Sequence, residues 1–345
     1  MKPVQIPSRP RRHMENSNKT ALLLINTGSP DAPTEEAVRR YLAEFLGDRR
    51  IVELPRWKWW PILHGIILRT RPKKSAERYK GVWTQEGSPL IVHTRRTAVA
   101  LEQELGMPVY WSMRYGNPST ASVFDRMKTD GVGRVLIMPM FAQYASQTTA
   151  ACLDGVSEYL LGQVDAPAVR TMHDYHDDPA YIDTLAEHVQ AYWNEHGSPV
   201  SVGGRLVMSF HGIPQASSDR GDVYESQCLR TARLLAERLG LEDRCWTVCF
   251  QSRFGRDEWL RPYTIDSIRE IASAGVRRVD VICPGFAADC LETIEEIDDE
   301  LRREYLTSFK EEAKPEFHYI PALNDSREAV RAYAAIVRRE AAGWI

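Results

Sequence analysis

The sequence has no CxxC pair, no GxGxxG fingerprint after its first apolar run and no GxxxxGK[ST] loop. Six cysteines are scattered, Cys152, Cys228, Cys245, Cys249, Cys283 and Cys290. Their spacing excludes a dense disulfide framework and fits a reducing cytoplasm. The missing glycine loops remove the backbone cradles that hold dinucleotides and nucleoside triphosphates. An excess of one charge is lacking too: 44 Lys and Arg stand against 47 Asp and Glu, a net charge of −3, so nothing global points to nucleic acid. The apolar run at 59–68, WWPILHGIIL, is too short to span a bilayer. The basic start, read as a flexible tail over 1–19, leads into a six-residue run, ALLLIN, too short for the core of an export signal. The expectation is a cytoplasmic protein that touches a membrane surface at most.

What is present is a chain of 345 residues, 43% hydrophobic and 26% charged, longer than one ordinary core. Short apolar runs alternate with longer helical patterns, the signature of a parallel α/β sheet. Strands are expected at 20–26, 108–113, 134–140 and 167–172, and again at 204–210, 245–250, 278–284 and 316–320. The two sets rhyme at their exits. Asn26-Thr-Gly28 answers Phe210-His-Gly212, and Met113-Arg-Tyr-Gly116 answers Gln251-Ser-Arg-Phe-Gly255. The reading is a duplicated, doubly wound α/β domain, 20–195 and 196–345, with the join near 190–203. Ligands of open α/β sheets bind beyond the carboxyl ends of the strands, and two such domains make a cleft.

Three features stand at those exits. His211 follows an apolar strand and precedes Gly212, which suits either a hydrogen-bonded structural residue or a catalyst open to a ligand. The stretch GFAADCLETIEEIDDE at 285–300 then places seven carboxylates in 289–300. On an α-helix starting near Asp289, Leu291, Ile294, Ile297 and Leu301 share one side; Glu292, Glu296 and Asp299 share the other. Such a face is either solvated or turned to a cation. A histidine with two glutamates is a competent set for a borderline metal such as Fe(II). The third feature, 55–83, interleaves four of the nine tryptophans with eight Lys and Arg. It suits a lid over a flat, carboxylate-bearing apolar ligand, a surface on anionic lipid, or an amphipathic helix with a solvated basic side.

Taken together, Ser209-Phe-His-Gly-Ile-Pro214, Gly285-Phe-Ala-Ala-Asp-Cys-Leu-Glu-Thr-Ile-Glu-Glu296, Asn26-Thr-Gly-Ser-Pro30 and Gln251-Ser-Arg-Phe-Gly255 with Trp259 resemble the ferrochelatases. The resemblance runs from about residue 20 to about 335. It implies two Rossmann-like domains with the active site between them. It also implies insertion of Fe(II) into protoporphyrin IX, the last step of haem synthesis, with release of two protons. His211 corresponds to the family's essential histidine and Glu292 to the acidic residue facing it; Glu296 continues the carboxylate line. The metal would be handled by His211, Glu292 and Glu296. Thr27, Trp57, Trp59, Trp60, Ile62, Leu63, Tyr115, Phe141 and Trp259 would contact the porphyrin.

The sequence departs from parts of the family. Cys290 replaces a second histidine of eukaryotic members. No cysteine follows Cys290, and Ser146 occupies an upstream ligand position, so no [2Fe–2S] cluster is expected. Thr27 stands where the coproporphyrin-using branch carries Tyr, so the chain looks more like the Gram-negative, protoporphyrin-using type, with peripheral contact to the inner membrane. Two rivals share parts of this pattern: a chelatase acting on sirohydrochlorin, and a non-catalytic two-domain solute-binding protein.

Overall fold

The computed structural model describes residues 19–255, 257–310 and 313–345; the tail expected at 1–19 lies outside them except for Lys19. All eight expected strands form. In chain order they are β1 (Lys19–Ser29), β2 (Val109–Gly116), β3 (Val132–Pro139), β4 (Ala168–Thr171), β5 (Arg205–His211), β6 (Trp246–Gln251), β7 (Arg278–Ile282) and β8 (Glu316–Ile320). They make two parallel four-stranded sheets of identical order, β2-β1-β3-β4 and β6-β5-β7-β8. The duplication is thus a topological fact as well as a sequence rhyme.

The paired glycines have a common steric cause. Gly28 adopts φ +116°, and a Cβ there would fall 1.8 Å from the Tyr115 carbonyl oxygen on the neighbouring strand. Gly212 occupies the matching place in the second sheet, where a Cβ would come within 3.0 Å of the Gln251 carbonyl oxygen and 3.1 Å of Trp259. Each central strand leaves its sheet against its neighbour's backbone; only glycine permits that approach at 28, while at 212 a Cβ would need its neighbours to give by a few tenths of an ångström.

Side chains alternate across each strand. Leu22 and Leu24 of β1 face a core that also holds Leu206, Met208 and Phe210 of β5. Ala21, Leu23 and Ile25 face an outer core with Val123, Phe124 and Val135. The corresponding outer core of the second sheet gathers Val207, Val279, Val281 and Ile297. Each buried Leu, Ile or Val contributes roughly 1.5–3 kcal/mol.

The shared inner core depends on an exchange of helices. The helix Pro179–His196, read as part of the first domain, packs on the second sheet's side. Its Trp193 indole donates to Asp280 of β7 at 2.9 Å, and its Tyr181 hydroxyl donates to the Pro284 carbonyl. The last helix, Arg327–Glu340, returns to the first sheet's side. There Arg338 donates to the Glu104 carbonyl at 2.7 Å, and Arg170 of β4 donates to the Glu340 carbonyl at 2.7 Å. Side-chain pattern alone fixes which face of a helix is apolar, and either sheet could have covered it.

Candidate active site between the two sheets

The carboxyl ends of both sheets open into one cleft of about 740 Å³. Its walls include Asn26, Thr27 and Gly28 from the β1 exit, Phe141 and Gln143 after β3, His211 and Gly212 from β5, and Ser252, Arg253 and Trp259 after β6. Glu292, Glu296 and Glu300 line it from the segment after β7.

His211 is fixed by a short local contact. Its Nδ1 donates to the Gly212 carbonyl at 2.6 Å, which leaves Nε2 of the neutral ring as a free acceptor. Trp259 and Phe286 flank the ring, with centroids 6.3 and 6.4 Å away. The Gln251 side chain joins the second sheet's exits. Its Oε1 accepts from Ser209 Oγ at 2.8 Å, and its Nε2 donates to the Glu292 carbonyl at 2.9 Å.

The acidic stretch is not α-helical. Residues Glu292–Leu301 wind as a π-helix, with a wider turn than the α-helix's 3.6 residues. The expected face of Glu292, Glu296 and Asp299 is therefore replaced by Glu292, Glu296 and Glu300. Asp299 turns outward and pairs with Arg303 at 2.6 Å. The apolar side also divides. Leu291 and Ile294 pack against Val38, Ala76, Tyr79 and Val82 of the first domain, while Ile297 and Leu301 enter the second domain's outer core. Asp289 anchors the start of the turn. It accepts from Tyr319 Oη at 2.5 Å, Asn324 Nδ2 at 2.7 Å and Thr293 Oγ1 at 3.0 Å.

Glu296 is held by Ser252, whose backbone N–H and hydroxyl donate to its two oxygens at 2.7 and 2.6 Å. Ser252 takes φ +64°, a region L-residues seldom occupy, to present both donors. Burial nevertheless raises the Glu296 carboxyl above its ordinary 4.5; the Ser252 hydrogen bonds and the nearby His211 partly offset the rise. A carboxyl whose folded-state pKa is raised adds stability while it is protonated, and that stability is lost as pH climbs from 4.5 through the raised value. Glutamine at 296 keeps an acceptor for the Ser252 N–H and does not ionise. Glu296→Gln should therefore gain stability relative to wild type as pH rises from 4.5 through the raised value. Melting temperature against pH checks this; a constant difference between the two proteins would contradict it.

Among the described residues no three His, Cys, Asp or Glu converge as a ready-made metal cage. His211, Glu292 and Glu296 share a cleft wall without closing around a point. Thr27, Phe141 and Trp259 also line the cleft, as expected. Six other expected contacts do not. Trp57 is 74% exposed, Trp60 49% exposed, and Ile62 also faces outward. Trp59 is 6% exposed and its indole donates to the Leu46 carbonyl at 2.7 Å; with Leu63 it forms the lid's own small core. Tyr115 is buried, its hydroxyl donating to Asp48 at 2.9 Å. The cleft is lined instead by the lid helix Leu68–Val82, which supplies Arg71, Lys74, Arg78 and Tyr79, and by Tyr41 and Phe45. The tryptophans drew attention by size, whereas the lid's basic residues Arg71, Lys74 and Arg78, at i, i+3 and i+7, were the better signal.

Trp59→Ala should thus cost about 3–5 kcal/mol of stability through the cavity it leaves. Trp57→Ala with Trp60→Ala should shift stability by less than about 0.5 kcal/mol per site. Chemical denaturation separates the two cases, and equal losses would mean the outer pair is packed.

A model of the ferrochelatase family matches residues 19–341. The chain belongs to the ferrochelatase family. The ferrochelatase of Polaromonas sp. is 51% identical over 330 residues, which cover 94% of this chain and 88% of that one. The ferrochelatase of Neisseria gonorrhoeae is 48% identical over 328 residues, 95% of both chains. Among solved structures, the sirohydrochlorin chelatase SirB from Bacillus subtilis subspecies spizizenii, in complex with cobalt, overlays with a TM-score of 0.56 at 11% identity. That overlay covers 94% of this chain and 96% of SirB, and it shows a common fold.

Proposed function

We propose that the enzyme inserts Fe(II) into protoporphyrin IX to give protohaem, and that His211 and Glu292 carry the chemistry. The observation behind the assignment is a cleft with a free imidazole Nε2 and a line of carboxylates, Glu292, Glu296 and Glu300, entering it from one π-wound segment. A porphyrin takes a metal only when its ring is bent, its two inner N–H protons are removed and the ion is stripped of water. Imidazole and carboxylate accept protons and hold Fe(II) loosely enough to release it. Phe141, Trp259 and Phe286 offer apolar faces to the macrocycle, while Arg71, Lys74 and Arg253 at the wall suit its carboxylates.

Protein incubated with protoporphyrin IX and Fe(II) or Zn(II) under reducing conditions should shift the Soret band catalytically. Faster turnover of sirohydrochlorin would instead favour the chemistry of a sirohydrochlorin chelatase. No iron–sulfur cluster is expected, and acid-labile sulfide in stoichiometric amount would contradict that.

The outward Trp57, Trp60, Ile62 and Ile66, beside Arg56 and Lys58, form an apolar and basic patch suited to peripheral contact with the inner membrane. No helix among the described residues is long and apolar enough to cross one. Replacing Trp57 and Trp60 by Ala should weaken sedimentation with anionic vesicles and leave the KM for porphyrin unchanged. Undiminished sedimentation would remove this patch from any membrane role.

A further inference from the structure

The seven carboxylates of 289–300 divide into two groups. Glu292, Glu296 and Glu300 line the cleft. The other four are each engaged elsewhere. Asp289 is hydrogen-bonded by Tyr319, Asn324 and Thr293. Asp298 pairs with Arg302 and Asp299 with Arg303, both four residues on in the helix Arg302–Thr307 that continues the segment. Glu295 pairs with Arg78, which comes from the lid helix of the other domain. Arg78 Nε donates to Glu295 Oε1 at 2.7 Å and its terminal nitrogen donates to Oε2, a two-pronged fork. Glu295 is only 15% exposed, and the flanking Leu291 and Ile294 pack against Ala76, Tyr79 and Val82 of the lid region.

We infer that Arg78 is a positioning residue: its fork on Glu295 holds the segment Glu292–Leu301 in the π-wound register that turns Glu292 and Glu296 into the cleft. The inference rests on the metal-insertion reading and deepens it. Relaxed to α-winding, the segment would bring Asp299 rather than Glu300 into line with Glu292 and Glu296. Glu295 would swing on the wider arc that separates the two windings. A planar guanidinium anchored on the lid opposes that rotation because both its bonds must break together. The Asp299–Arg303 pair moves with the segment, and the Asp298–Arg302 pair ties it only to β8, where Arg302 also donates to the Phe317 carbonyl; neither fixes its register against the first domain. The fork also makes the register depend on the lid being seated across the cleft.

Arg78 lines the cleft as well, so direct contact with a porphyrin carboxylate is the rival role. Three variants separate them: Arg78→Gln, Glu295→Gln and the swap Arg78→Glu with Glu295→Arg. Positioning predicts that both single variants lose turnover roughly tenfold to a hundredfold, as is usual when a group that orients metal-handling residues is removed. The KM for porphyrin should stay within about twofold of wild type. The swap should recover most of the lost turnover, and Arg78→Lys should fall between, since lysine keeps the charge but not the fork. Backbone amide exchange across 292–301 should quicken in both single variants and slow again in the swap. That readout needs no turnover, so it tests the fork even if wild-type protein fails to insert iron. A raised porphyrin KM in Arg78→Gln, with Glu295→Gln fully active, would overturn the inference. So would amide exchange that all three variants leave unchanged.

Discussion

Replacement of His211 by alanine is expected to lower iron insertion by roughly 10²–10⁴ while porphyrin still binds, because a positioned general base contributes about that much. The expectation follows from the way the ring is held. Nδ1 is committed to the Gly212 carbonyl at 2.6 Å, so Nε2 is the nitrogen left for chemistry. The ring sits between Trp259 and Phe286, which supply apolar surface that the variant retains. Binding measured by porphyrin fluorescence should therefore change little, and kcat should carry the loss. A variant keeping more than a tenth of wild-type turnover would remove the imidazole from the mechanism. Loss of binding in proportion to turnover would instead make His211 part of the macrocycle's seat.

The sheets were legible because their signal is local. Runs such as ALLLIN and VLIM are apolar on both faces, as buried parallel strands must be, and each is closed by Pro or a polar pair. The rhyme of exits was legible because each central strand crowds its neighbour's backbone as it leaves the sheet, which forces glycine at 28 and favours it at 212. The helix exchange was not legible. Trp193 of Pro179–His196 reaches β7 of the second sheet and Tyr181 the Pro284 carbonyl just after it, but nothing in an apolar stripe says which sheet it covers.

Along the cleft wall, His211, Glu292, Glu296, Thr27 and Phe141 could be placed because strand exits converge on ligands, whereas Trp259 came from the family resemblance. The lid tryptophans were harder to place because tryptophan serves a core, a ligand or a membrane face equally well. Here Trp59 fills the lid's core while Trp57 and Trp60 point outward. The π-winding was hidden for a subtler reason. Leu291, Ile294, Ile297 and Leu301 fit a 3.6 period well enough, but in the structure they serve two different cores on two sides of the segment. A single 3.6 period implies one buried face, and this segment has two because it lies between domains.

That geometry sets the order expected of the acidic variants. Glu292→Gln should reduce kcat by roughly 10²–10⁴ with a stability change under about 1 kcal/mol, since an amide neither accepts the pyrrole proton nor carries charge toward the metal. Its backbone carbonyl, held by Gln251, is untouched by the substitution, so the segment should keep its place. Glu296→Gln should be milder and appear mainly as a raised KM for the metal. The reason is that its carboxylate is already occupied by two Ser252 donors and has less freedom to take a proton from the ring. Asp298→Asn should leave turnover unaltered, because Asp298 pairs with Arg302 away from the cleft. Steady-state kinetics at saturating porphyrin, with Fe(II) varied, distinguish the three. Equal losses at 292, 296 and 298 would mean that the segment acts through its summed charge. An intact kcat in Glu292→Gln would move the proton acceptor to His211 alone.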